Sequence, residues 1–179
     1  MDLIRQISDL PHQGDGLIAD ERRWTALQRA INWQQAHNAF VELLNLPDPS
    51  QIIGISLVTF TLIWLNDVLQ ELSQNEVRVS VRNDLIFEMG KEKDQTSLIN
   101  AARTAVCHIN SGRSYSDGGT KWQFVWIGPD TTVRTEWREI SNRTGHDWMV
   151  TFADLNLYLH NNIGLGLQLA AKNIYLSAA

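Results

Sequence analysis

IIGISLVTFTLIWL, residues 52 to 65, decides the fold, because a run that is apolar nearly all round needs partners on most of its sides. Pro47, Asp48, Pro49 and Ser50 break the chain before it and supply cap chemistry, and Val68, Leu69 and Leu72 continue the apolar pattern at helical spacing. Fourteen residues of helix rise about 21 Å, short of the roughly 30 Å of a bilayer core, and Ser56, Thr59 and Thr61 dilute the run further. The stretch therefore reads as the central helix of a soluble bundle, with room for a second subunit against it.

On the N-terminal side, Asp20 is placed as an N-cap with Glu21 in the first turn. From there Trp24, Leu27, Ile31, Ala39, Phe40, Leu43 and Leu44 mark a long amphipathic helix that ends before Pro47. His37 on this helix reads as a surface or core-edge residue and not as a ligand. Residues 1–19, with Pro11, Gly14 and Gly16, lack sustained periodicity and read as an N-terminal arm with at most one short helix, Asp2 to Leu10.

On the C-terminal side, EVRVSVRNDLIFEMG, residues 76 to 90, alternates like a strand at Val77, Val79 and Val81 but repeats like a helix at Val81, Leu85, Ile86 and Met89. A helix from about Ser80, closing at Gly90, is the reading adopted. The run that follows is a loop, and Asp94 or Thr96 caps the next helix. In SLINAARTAVCHINSGRSY, residues 97 to 115, Leu98, Ile99, Ala102, Ala105, Val106 and Ile109 form an apolar face. Arg103 and His108 interrupt it, and Asn110, Ser111 and Gly112 stop the helix. A histidine in a last helical turn is favoured by the helix dipole in any protein, and an arginine can lay its stem over a core with its head in water, so a structural role fits both residues. Residues five apart on a helix are turned by about 140° and displaced by roughly 7.5 Å. One helix therefore aims both groups at one atom only if the ligand lies along it or a second copy contributes.

This Arg-x4-His at the end of an apolar helix, in a chain of a few long helices, resembles the HEPN superfamily. The resemblance implies a homodimer whose subunits bring their motifs together at a cleft, and, in active members, a metal-independent endoribonuclease. Arg103 and His108 are the two positions that match. Thr104 stands where the family usually has Asn, Asp or His, and Asn110 stands where the nucleotidylated branch has tyrosine, so that regulation is not carried over. The implied chemistry is attack of a ribose 2′-hydroxyl on the adjacent phosphate, with His108 moving protons and Arg103 balancing charge on the phosphorane. Thr104, Asn110, Arg113 and Tyr115 are secondary candidates for RNA contact. A toxin or phage-defence role, with an antitoxin partner, is also implied by the family. The rival class is a non-catalytic helical module that binds RNA or protein, with Arg103 and His108 serving structure.

After a Gly, Ser and Asp loop the texture changes. Trp122, Phe124 and Trp126 alternate with Lys121, Gln123 and Val125 as in a strand, Gly128, Pro129 and Asp130 are turn chemistry, and Thr132 to Trp137 reads as the returning strand. Residues 121–150 are thus expected to form a β-hairpin and loop inserted before the last helix. Arg134, Arg138 and Arg143 interleave with Trp137 and Trp148, which suits either base stacking with phosphate contact or rings sealing the hairpin onto the bundle. His146 and Asp147 lack a third metal ligand nearby. Asn142-Arg143-Thr144 is a glycosylation pattern by spelling only. A helix from about Asp154 to Leu176 closes the chain, with Leu155, Leu159, Ile163, Leu167, Ala170, Ala171 and Ile174 as its apolar stripe and Gly164 and Gly166 allowing close approach of another helix.

The 179 residues, 44% hydrophobic and 20% charged, suit one folded domain. A net charge of -5 argues against coating nucleic acid by bulk electrostatics. The charge is uneven: residues 1–100 hold 8 Lys and Arg against 14 Asp and Glu, and residues 101–150 hold 6 against 5, which permits a local anion site. The single cysteine, Cys107, excludes an internal disulfide and a Cys-rich metal site, and points to a cytoplasmic setting. Walker, GxGxxG, GxSxG and HExxH patterns are absent, so no cofactor or metal is expected. The expected architecture is a mainly α bundle of four to five helices with a small β-hairpin before the C-terminal helix.

Overall fold

The computed structural model describes residues 2–10, 16–75, 77–79, 94–107, 124–134, 139–152 and 155–178. Among them are five α-helices and a small antiparallel strand region before the last helix, so the expected fold class is the one adopted. Helix α3 (Ile52–Gln74) lies at its centre and packs on α2 (Gly16–Leu44), α4 (Gln95–Cys107) and α5 (Leu165–Ala178). Val58, Leu62, Leu65, Val68, Leu69 and Leu72 are all fully buried there. Hydroxyls are tolerated on so apolar a helix because each bonds back one turn: Ser56 to the Ile52 carbonyl, Thr59 to Ile55 and Thr61 to Leu57. A Cβ on Gly54 would overlap the Pro49 carbonyl, so the Pro47–Ser50 break folds tightly onto the start of α3. At 23 residues, α3 is long and apolar enough by length and composition to cross a bilayer, and 44% of its most apolar window is buried inside the protein.

Helix α2 starts at Gly16, so Asp20 lies within it and is not its N-cap. The expected stripe is also rotated: Trp24 is 63% exposed and Ile31 41%, whereas Ala26, Ala30, Trp33, Ala36, Phe40 and Leu43 face the core. Small alanines win the inner face because they let α2 come close to its neighbours while keeping the contact well packed. Helix α1 (Leu3–Ser8), in the segment read as an arm, is capped by Asp2 and buries Leu3 and Ile7 against α2 and α5.

Only residues 77–79 of the ambiguous stretch are described; they run as coil, and the helix expected from about Ser80 to Gly90 lies outside the described residues. The Val79 carbonyl accepts from the Thr96 amide and hydroxyl. Of the two expected caps of α4, Asp94 takes the position: its Oδ1 accepts from the Ser97 amide at 2.8 Å, and its own amide donates to the Ser97 hydroxyl oxygen at 3.0 Å.

The expected hairpin is not the pairing that forms. Strand β1 (Phe124–Ile127) pairs antiparallel with β4 (Met149–Phe152), which pairs with β5 (Leu155–Tyr158), while β2 (Thr132–Arg134) pairs with β3 (Glu139–Ser141) as a separate ribbon. Burial explains the choice: Met149 and Val150 are fully buried and set a wholly apolar partner beside Ile127, whereas Thr132 and Arg134 of β2 are exposed. The buried Asn142 side chain fixes the junction by donating to the carbonyls of Ile127, Gly128 and Asp147. That use of its amide removes Asn142 as a glycosylation acceptor.

The C-terminal helix does not begin near Asp154. Leu155 to Tyr158 is strand β5, Leu159–Gly164 is a π-helix, and α5 follows. The 155, 159, 163 spacing satisfies a helical stripe, but Leu155, Leu157 and Leu159 also alternate, and pairing with β4 decides for the strand. Asp147 then sets the helix start, its buried carboxylate accepting from the amides of His160 and Asn161 at 3.0–3.1 Å. Gly166 meets the expectation of close approach: a Cβ there would stand 3.1 Å from Gln95 Nε2 and 3.3 Å from Leu65 Cδ2.

Candidate functional site

The motif helix α4 is held at its first turn by Asp94 and buries Leu98, Ile99, Ala102 and Ala105 against α3. Arg103 is half-buried on α4, and its Nε is inaccessible and without a hydrogen-bond partner among the described residues. Thr104 donates its hydroxyl to the Asn100 carbonyl at 2.8 Å, one turn back, so that proton is committed within the helix. Helix α4 is described to Cys107, which is exposed and free. His108, Asn110, Arg113 and Tyr115 lie outside the described residues, so Arg103 is the one member of the pair that the fold places.

Of the aromatic residues of the strand region, Trp126 and Trp148 are described, and these two take the sealing role. Trp126 and Trp148 meet edge to face at 6.4 Å between ring centres and both pack against the bundle core. Arg134 is bound to Glu139 across the β2–β3 ribbon at 2.6 Å, and Arg143 is exposed. Arg138 and Trp137 lie outside the described residues. Asp147, the nearer half of His146–Asp147, caps the π-helix, and no group of three or more metal-binding side chains occurs among the described residues.

A groove that the sequence reading does not find runs between α1, α2, the π-helix and α5, with a volume of about 610 Å³. Along α2 it is walled by Trp33, His37, Val41 and Leu44, and along the C-terminal segment by Gly164, Gln168, Lys172 and Tyr175. Both sets step by three or four residues, the helical period, and that shared spacing is the signal that locates the groove in sequence. Trp33 is locked in the wall by its indole N–H, which donates to the Leu167 carbonyl at 2.7 Å. His37 stacks on Trp33 at 4.7 Å, has its Nδ1 buried without a partner, and has its pKa lowered by burial. His160 meets Phe40 edge-on at 6.1 Å. The π-helix contributes His160 and Gly164 to this wall, and such irregular turns recur at functional sites.

Compared with known proteins, the chain matches no protein-family model, no curated protein and no solved structure.

Proposed function

We propose that this protein is a metal-independent endoribonuclease of the HEPN type that acts as a homodimer, with Arg103 and His108 as the catalytic pair. The observation that carries the reading is Arg103. A half-buried guanidinium with no hydrogen-bond or ion-pair partner among the described residues is a cation left uncompensated, and a phosphate is the ligand that suits such a group best. The mainly helical bundle agrees with the family's architecture. The second copy has a surface to use: Ile52 is 83% exposed, Ile53 54% and Phe60 55% along one side of α3, the helix on which α4 packs. Two copies joined across α3 bring two motif helices near the joint. In this reading RNA is the substrate, and a toxin or phage-defence setting with an antitoxin partner is the family's implication.

Incubation of the purified protein with RNA in excess chelator, beside Arg103→Ala and His108→Ala, tests it. Cleavage by the parent and loss in both variants supports the assignment. Cleavage that needs a divalent cation, or that survives His108→Ala, overturns it. RNA binding without cleavage moves the reading to a non-catalytic RNA-binding module.

A further inference from the structure

We infer that the groove between α2 and α5 is a binding site for an elongated amphiphilic monocarboxylate, a medium-chain fatty acid in chemical class. Three features carry this. The shape is long: Trp33 to Leu44 spans three turns of α2, about 16 Å, which accommodates an extended chain of roughly ten to twelve carbons. The wall is apolar, with Leu3, Trp33, Phe40, Val41 and Leu167 in contact with any occupant, and Val41 and Leu44 remain 40% and 38% exposed without one. The charge is one-sided. Lys172 lies in the wall with His37 and His160, and no aspartate or glutamate is among the described lining residues.

Lys172 takes the carboxylate, and the imidazoles of His37 and His160 line the same groove as further polar groups. A neutral lipid of equal length lacks the anion that Lys172 calls for, and a cationic amphiphile meets like charge. No lining residue belongs to α4, so the site stands whether or not Arg103 and His108 cleave RNA.

Isothermal titration of the intact protein with dodecanoate below its micellar concentration, and with dodecanol, tests the inference. Dodecanoate is expected to bind one to one. Lys172→Gln is expected to weaken dodecanoate about fivefold, the equivalent of one partly exposed ion pair, and to leave dodecanol unchanged. Gln168→Trp, at an exposed wall position, is expected to remove binding of both by filling the groove while leaving the folded circular dichroism spectrum intact. Absence of dodecanoate binding overturns the inference, as does binding that persists in Gln168→Trp or that ignores Lys172. Self-association of the parent that disappears in Gln168→Trp also overturns it, because the groove then belongs to a second copy of the chain.

Discussion

Arg78 and Asp94 form a two-pronged ion pair, Nε to Oδ2 at 2.6 Å and Nη2 to Oδ1 at 2.8 Å, while the same carboxylate caps α4 through Ser97. One side chain thus ties the segment leaving α3 to the start of the helix that carries Arg103. Burial alone would raise the Asp94 pKa, but the hydrogen bonds from Arg78 and Ser97 outweigh it and hold the carboxyl below its ordinary 3.8. A carboxyl depressed in the folded state contributes stability that is present above the unfolded value and is lost as pH falls through the folded one. Thermal melts from pH 6 down to pH 2 should therefore show a loss beginning near pH 4 that is smaller in Asp94→Ala. At pH 7, Asp94→Ala is expected to cost about 1–2 kcal/mol, since the cap is worth about 1 and the 43% exposure of Arg78 screens the pair.

His37 gives the opposite group the same sign. Its pKa is lowered by burial, so the folded state prefers the neutral ring, and stability falls as pH drops below the ordinary 6.5. His37→Leu removes both the titration and the unpartnered Nδ1. The variant is expected to be more stable than the parent by up to about 1 kcal/mol, with the larger gain at pH 5.5 than at pH 8. Chemical denaturation at the two pH values measures this, and an equal gain at both contradicts it.

Gly164 and Gly166 should respond differently to alanine. At Gly164 the nearest atoms to a new Cβ are at 3.6 Å, ordinary contact, and alanine is expected to be neutral or to stabilise by up to about 1 kcal/mol. At Gly166 the new methyl presses on Gln95, whose Nε2 donates to the buried Asn162 carbonyl, so Gly166→Ala is expected to lose about 1–3 kcal/mol. Parallel thermal melts of the two variants decide the sign of each.

Asp147 is buried and joins the turn before β4 to the first turn of the π-helix. Asp147→Ala strands two amides and is expected to cost about 2–4 kcal/mol, measured by urea unfolding, whereas Asp147→Asn keeps one acceptor and should cost less. Equal effects from the two would show that the amides find water instead.

Ile53 and Phe60 are exposed on α3, and the proposed homodimer would bury them. Phe60→Glu is expected to halve the mass seen by light scattering at micromolar concentration without lowering the melting temperature of the monomer. A parent that is already monomeric would remove the homodimer from the proposal.

The bundle was legible in the chain because its signals are local. The apolar run at residues 52–65, the Pro47–Ser50 break and a cap at Asp94 or Thr96, of which Asp94 takes the position, each act within a turn or two of helix, where spacing alone limits which side chains meet. Arg103 was legible as a polar interruption of an apolar face, and α4 does present it half-buried. Strand pairing was not legible, because Ile127 and Met149 are far apart in sequence and alternation says that a strand exists without saying beside which other it lies. The same holds for Leu155 to Tyr158, where one pattern satisfied both periods until β4 supplied a partner. The groove is the clearest case: Trp33, His37 and Lys172 belong to helices remote in sequence, and the Trp33 to Leu167 hydrogen bond that sets one wall against the other exists only once α2 and α5 have packed. Sequence determined by short-range spacing that α2, α3 and α4 are helices, and tertiary packing decided where α5 begins, which strands pair and where an open cavity bordered by Lys172 is left.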